Sequence, residues 1–266
     1  MTRGVLNKIL RVDLTTGSLT VDEKNDHYYR RYLGGWNIVA DTLLREVPKG
    51  ADPLGPDNRL VFSAGILAGM ALSGASRSVA GAKSPLTGGF GVGESGGNFG
   101  AELKRAGFDA IIVQGASTKP VYLWIKDGVA ELRDATAVWG KQTKETHQAL
   151  IAEVGERRAQ CAMIGPAGEN LVKYACIMHG LYDAAGRTGL GAVMGSKKLK
   201  AIVVRGTTNI TGADPDTIRA MARGMAEDVR EGRKAAHMAA WGTGADQVGM
   251  IATGNLPTRN FRDGDF

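Results

Sequence analysis

Gly91, Gly93 and Gly96 satisfy the G-x-G-x-x-G spacing and run into a helical pattern, the arrangement that seats a dinucleotide pyrophosphate when an apolar strand leads into it. Here the preceding residues are Gly88, Gly89 and Phe90, and Asp109 comes too early to be the ribose-binding acid that follows about twenty positions on. The glycines therefore call for another reason. The segment 84–100, SPLTGGFGVGESGGNFG, spends seven of seventeen positions on glycine, which costs backbone entropy unless the chain must turn tightly or admit something close. A second passage, 184–195, repeats the habit. Residues 88–100 and 184–195 are expected to be loops that deliver glycines into a helix start, where free N–H groups and the positive end of the dipole attract anions. Arg77 stands upstream of the first and Arg187 within the second. Guanidinium groups grip phosphate in a bidentate way, so a cofactor carrying phosphates is the natural guest. The plain alternative is that single glycines close turns between strands.

Other reactive residue types point nowhere else. Cys161 and Cys176 belong to no C-x-x-C pair and read as small core residues. His27, His147, His179 and His237 are scattered and read as surface or capping histidines, with His179 closest to the second glycine passage. Glu102 reads as a solvated or helix-supporting charge, and Met163, Met178 and Met194 as core filler. No Ser, His and Asp grouping suggests hydrolysis.

The elements that must position these residues follow from periodicity. KILRVDLTTGSLTVDE reads as a hairpin, and residues 29–47 as helix interrupted at Gly34-Gly35. NRLVFSAG and AIIVQG are short buried strands, with a helix over 98–106 carrying Phe99, Leu103 and Ala106 on one face. KPVYLWIKDGVAELRDA is a hairpin about Asp127-Gly128, and 143–154 a helix. CAMIGPAGEN and YACIMHG are apolar strands about a tight Pro-Gly turn; a glycine loop, short helix and strand close the region at Gly206. Antiparallel hairpins mixed with short helices argue an α+β fold. A polar break precedes Asp214-Pro215, an N-cap and first-turn proline opening a helix with Ile218, Met221, Met225 and Val229. This divides the chain into domains 1–208 and 209–266.

A length of 266 residues and an apolar fraction of 43% suffice for a real core. There is no long uncharged apolar run and no basic-then-apolar leader, so no membrane span or secretory signal is expected and the cytoplasm is the expected compartment. The net charge of +6 is dispersed, densest at Lys197, Lys198 and Lys200, and hints at an anionic partner. Only 6% of residues are aromatic, against a nucleic-acid surface.

GAKSPLTGGF, ESGGNFGAELKRAGFDAIIVQG, IGPAGENLVKYACIM and AAGRTGLGAVMGSKKLKAI, in this order and spacing, resemble the N-terminal part of the aldehyde ferredoxin oxidoreductases, tungsten or molybdenum enzymes that hold their metal between two pterin dithiolenes. The likeness runs from about Val5 to Gly206 and continues faintly through NLPTRNF. It implies two packed β-sheets with short helices forming a base for the bis-pterin cofactor, followed by the start of a mainly helical domain. Arg77 matches an arginine that reaches the pterin and a neighbouring iron–sulfur cluster, and Gly96 and Gly186 match backbone contacts to the cofactor. Arg187 belongs to the phosphate-facing loop. Ala184 matches a position whose carbonyl helps hold Mg2+ between the two pterin phosphates.

Two positions depart from the family pattern. Glu94 stands where an asparagine usually offers an oxygen to the magnesium, and a carboxylate there is a harder, more charged ligand. Asp183 stands where an arginine can occur, next to the second phosphate. Both suggest a divergent subfamily with altered aldehyde or non-aldehyde substrates. The resemblance further implies oxidation of an aldehyde to a carboxylic acid, with electrons passing through a [4Fe-4S] cluster to ferredoxin or another electron carrier, in an assembly that is often a homodimer. The cluster's cysteine run normally follows a stretch like NLPTRNF, so its ligands are expected outside this chain, in a C-terminal part or a partner subunit, and the 266 residues alone are expected to hold no cluster. The competing reading is a stand-alone pterin- or nucleotide-binding module without redox activity.

Overall fold

The computed structural model describes residues 4–265, the side chains of 233–235 excepted. They form two compact units, Met1–Pro215 and Asp216–Phe266. In the larger one, β1 (Lys8–Asp13), β2 (Ser18–Glu23), β3 (Leu60–Ala64), β4 (Ser78–Lys83), β5 (Phe90–Ser95) and β6 (Ala110–Gln114) make one sheet. A second holds β7 (Val121–Lys126), β8 (Val129–Asp134), β9 (Gln160–Met163), β10 (Ile177–His179), β11 (Asp183–Ala185) and β12 (Leu199–Arg205). The orders are β2-β1-β6-β3-β4-β5 and β11-β10-β9-β12-β7-β8. Read from its hairpin, the second sheet is the first with every strand number raised by six. In each, the only parallel pair among the described residues joins the first strand to the last, β1 with β6 and β7 with β12.

The helices repeat as well. α1 (Asp26–Tyr32) and α2 (Trp36–Glu46) precede β3; α3 (Phe99–Arg105) precedes β6; α4 (Thr143–Val154) precedes β9; α5 (Pro166–Glu169) and α6 (Leu190–Ser196) complete the unit. α2 sets Ile38, Val39 and Leu43 with Val61, Val79 and Ile112 of the first sheet, while α4 contributes Leu150 to a cluster with Tyr122, Trp124 and Val203 of the second. Between the sheets, Leu10, Phe62 and Ile111 meet Leu123, Ile125 and Ile202, with Phe99 and Leu103 of α3 and Leu190 and Val193 of α6. The central strands of each sheet are thus buried on both faces. That explains why Tyr122 and Trp124, which alternate with Leu123 and Ile125 along β7, are buried as well. The hairpin itself closes through Asp127 and Gly128 at φ +45° and +86°, the two left-handed positions a two-residue turn requires.

The α+β class and the two sheets stand as expected, with four local corrections. Residues 90–95 are not loop but strand β5, and 183–185 are strand β11. The Pro-Gly turn is the first turn of α5, with Pro166 where its missing N–H costs nothing. The basic run is no surface patch: Lys197 and Lys200 are fully buried. Lys197 donates to the carbonyls of Asn58 at 2.7 Å and Gly115 at 3.0 Å, and Lys200 pairs with Glu169 and reaches the Lys141 carbonyl at 3.0 Å. Glu102 is buried too, accepting from Arg205 at 2.8 Å and from the Gly206 N–H at 3.0 Å, so it ties α3 to the end of β12.

The smaller unit is helical, with α7 (Pro215–Glu231), α8 (Arg233–Trp241) and α9 (Gln247–Ala252). Met221, Met225 and Val229 of α7 are exposed. Among the described residues no helix is long and apolar enough to cross a membrane.

Candidate functional site

β5 and β11 are the edge strands of their sheets, and edge strands leave backbone groups unpaired. Here the two edges run against one another in opposite directions. A Cβ added to Gly93 would stand 3.1 Å from the Cβ of Ala185, and one on Gly91 would stand 3.0 Å from Thr188 Oγ1. Ser84 Oγ donates to the Thr188 carbonyl at 2.7 Å and locks the same junction. Glycine occurs inside β5 because the neighbouring strand occupies the space of a side chain. With Gly91 and Gly93 inside an antiparallel strand, the G-x-G-x-x-G match is not the strand-to-helix turn of a dinucleotide site.

The ladders place the candidate residues in matching positions. Ser95, the last residue of β5, pairs with Ser78, the first of β4; Ala185, the last of β11, pairs with Ile177, the first of β10. Glu94 and Ala184 are therefore equivalent, each the penultimate residue of its edge strand, and Gly96 and Gly186 are the first residues beyond. Glu94 and Ala184 fall between the contacts that join residue 93 to 185 and residue 96 to 183, at the middle of the crossing. Arg77, just before Ser78, lies across the ladder from Gly96, and Arg187 lies beside Thr188 at the other end. One junction thus gathers Arg77, Glu94, Gly96, Asp183, Ala184, Gly186 and Arg187.

Their surroundings differ. Arg77 and Arg187 are exposed, and among the described residues neither side chain makes a hydrogen bond or ion pair. Gly186 is exposed, with open space where a Cβ would stand. Asp183 has settled on the bare faces of Gly96 and Gly97: a Cβ there would meet its Oδ1 at 2.8 Å and its Oδ2 at 2.6 Å. Glu94 is exposed, and its Oε1 accepts from Trp36 Nε1 at 2.6 Å.

Trp36 was not foreseen, and His179, noted for its closeness to the second glycine passage, is placed differently than expected. Trp36 opens α2 directly after Gly34 and Gly35, both at positive φ; that helix interruption was the signal available in sequence. His179 was expected at the surface and is instead 4% exposed, its ring 4.8 Å from that of Phe99, opposite Asp183 in the β10–β11 ladder. Among the described residues neither ring nitrogen has a hydrogen-bond partner, nor has the buried Ser78 hydroxyl. Burial holds the imidazole neutral, its pKa lowered to about 4. The two cysteines are free, and burial pushes the Cys161 thiol up to about 12. Among the described residues no group of three or more His, Cys, Asp or Glu side chains is placed to hold a metal.

Two uncommitted guanidiniums, one towards each end of a crossing with open backbone at Gly186, fit a ligand with two anionic ends. Oxygen ligands suit a hard cation, and Glu94 and Ala184 stand between the two arginines along the crossing.

A sequence model of the aldehyde ferredoxin oxidoreductase N-terminal domain matches residues 9–206. The tungsten-containing aldehyde ferredoxin oxidoreductase of Thermococcus kodakarensis is 44% identical over 99% of this chain, which covers 44% of that protein. The WOR-like subunit of an aliphatic sulfonate oxidoreductase from Pyrococcus furiosus is 34% identical, with 96% of this chain and 43% of that protein aligned. Among solved structures, the active-site complex BamBC of benzoyl coenzyme A reductase, determined with 1,5-dienoyl-CoA, superposes with a TM-score of 0.83 and 39% identity, covering 86% of this chain and 35% of that one. The chain thus spans under half the length of the curated relatives it matches. With the matched domain running from the first hairpin to the end of β12, the chain belongs to the aldehyde ferredoxin oxidoreductase family and carries its N-terminal domain.

Proposed function

We propose that this domain is the cofactor-binding floor of a tungsten bis-pterin oxidoreductase. In this reading the whole protein is a cytoplasmic enzyme that oxidises an aldehyde to a carboxylic acid and passes electrons through a [4Fe-4S] cluster, held by cysteines outside this chain, to ferredoxin. The single observation that carries it is the antiparallel crossing of two equivalent edge strands, with an uncommitted arginine towards each end. A cofactor with two pterin arms has the same approximate twofold character. When bound, the metal–dithiolene group supplies the redox chemistry, while the protein supplies binding and electrostatics.

The chain's own residues divide that work. Arg77 and Arg187 bind the anionic groups, and the backbone at Gly96 and Gly186 approaches closely because no side chain intervenes. A Mg2+ ion between the two phosphates would take oxygens from Glu94 and Ala184. Ala184 has only its carbonyl to offer, so the matching place of Glu94 makes its carbonyl the natural counterpart. Asp183 puts a carboxylate beside Gly96, which opposes an anion there and makes the neighbouring cation and Arg77 more important.

The relatives' names span aldehyde, aliphatic sulfonate and benzoyl-CoA chemistry. In this reading the floor serves more than one reaction, and substrate choice lies with the rest of the protein. Anaerobic purification of the full-length protein, followed by tungsten, pterin and iron analysis and an aldehyde-dependent dye-reduction assay, tests the proposal. Tungsten with two pterins and aldehyde-dependent reduction is the expected result. A protein that carries neither pterin nor tungsten would make it a binding module of another kind.

A further inference from the structure

We infer that His179 is a positioning residue for the Asp183 carboxylate: when a ligand takes the faces of Gly96 and Gly97, the carboxylate turns across the β10–β11 ladder and accepts a hydrogen bond from the His179 ring. The inference rests on the reading above that the cofactor approaches the backbone at Gly96. It says what this chain does with the acid that stands in the way.

His179 and Asp183 are directly paired in the ladder. Residues opposite one another in an antiparallel pair point to the same face, with Cβ atoms about 4.5–5.5 Å apart. That face is turned to the first sheet: Ile177 and Ala185, two residues along from His179 and Asp183, belong to the core between the sheets, and the His179 ring lies 4.8 Å from that of Phe99. The two side chains are therefore neighbours of complementary chemistry, a ring that always carries at least one N–H and a carboxylate that accepts. Both are uncommitted. Among the described residues neither His179 nitrogen has a partner, although the residue is 4% exposed, and the half-buried Asp183 carboxylate makes no hydrogen bond or ion pair. A buried donor without an acceptor forfeits the bonds it had in water, so the ring gains from an acceptor brought to it. Its other neighbours bring none, since β9 sets Ala162 opposite His179 and α3 sets Phe99 on its ring. What keeps Asp183 away is space and not bonding. Gly96 and Gly97 have no side chains, and Oδ1 and Oδ2 lie 2.8 Å and 2.6 Å from where their Cβ atoms would stand. A ligand lying on that backbone needs the same volume. Rotation about χ1 moves the carboxylate between staggered positions without moving the strand. Turned to the ring, it satisfies the buried donor and takes its negative charge away from an anionic group at Gly96.

Two measurements on the full-length protein test this. A crystal structure of the pterin-loaded protein should show the Asp183 carboxylate within hydrogen-bond distance, about 2.7–3.2 Å, of a His179 ring nitrogen. A carboxylate still seated on Gly96 and Gly97 beside bound pterin overturns the inference. Loss of pterin on dilution, followed through its fluorescent oxidation product, reads the energetics. His179→Phe should release pterin roughly tenfold faster, the size of one hydrogen bond to a charged group. His179→Asn, which keeps an N–H donor at the end of β10, should stay near wild type. In the Asp183→Ala background neither His179 variant should change the rate further, because the two residues act as a unit. A loss in His179→Phe that persists undiminished in that background makes the histidine a core residue alone and overturns the inference while leaving the cofactor floor standing. A full-length protein that holds no pterin refutes the cofactor reading, and this inference with it.

Discussion

Gly93 of β5 lies against Ala185 of β11 so closely that a Cβ on the glycine would stand 3.1 Å from the alanine's backbone carbonyl carbon and 3.1 Å from its Cβ. This contact sets how near the two edge strands come, and hence the spacing of the groups on either side of it. Gly93→Val must push β5 and β11 apart, and overpacking of this kind costs about 1–3 kcal/mol. Urea unfolding should show that loss, and the full-length variant should purify with less pterin than wild type.

The two uncommitted arginines separate binding from folding. Because both side chains are exposed and neither makes a hydrogen bond or ion pair among the described residues, Arg77→Gln and Arg187→Gln should leave unfolding free energy within about 0.5 kcal/mol of wild type. Pterin retained by the full-length protein, measured as its fluorescent oxidation product, should nevertheless fall. Arg187→Lys should recover only part of it, since an ammonium lacks the planar fork. Equal pterin content in all three variants would remove these residues from the site.

His179 makes stability depend on pH in a defined window. Its pKa is about 4 in the fold against 6.5 for the free side chain, so between those values the unfolded chain binds a proton that the folded chain refuses. Stability is complete above pH 6.5 and drains away as pH falls towards 4, by up to ~3 kcal/mol for this group. His147, also lowered by burial, adds to the same slope. His179→Phe, which can pack against Phe99, should flatten the curve between pH 6.5 and 4; urea midpoints at several pH values decide it, and an unchanged slope would refute the assignment.

Lys200 and Glu169 form an ion pair whose side chains are 0% and 5% exposed. Removing one partner leaves the other charged and buried. Lys200→Met alone should therefore cost about 3–5 kcal/mol, whereas Lys200→Met with Glu169→Leu should recover much of it. Thermal unfolding of the single and double variants checks the difference. A double variant no better than the single would mean that the Lys141 carbonyl contact, not the pair, carries the stability.

What could be read along the chain was whatever depends on near neighbours. The Asp127-Gly128 hairpin, the helix over 143–154 and the buried strands at 60–64 and 110–114 follow from turn chemistry and apolar periodicity, and the structure has them in those places. The clustering of glycine beside Arg77 and Arg187 already marked the region that becomes the crossing. β5 was missed because a strand of FGVGES has no apolar alternation of its own; its glycines are chosen by a strand nearly a hundred positions away. The duplicated strand order escaped for a like reason, since it lives in pairing partners and not in residue types.

Lys197, Lys200, Glu102 and His179 looked like surface groups because charge and polarity predict solvent unless distant carbonyls or counterions compensate. Asn58, Gly115, Glu169 and Arg205 do so for the first three, and none of those pairings is local. The sequence by itself determined the elements whose residues alternate or repeat locally, and the kinds of groups available for binding an anion. Only the tertiary structure decided that two edge strands from matching sheets meet, that Glu94 and Ala184 are counterparts, and that Trp36 holds the Glu94 carboxylate, because each depends on a contact between segments that the chain's local preferences do not couple.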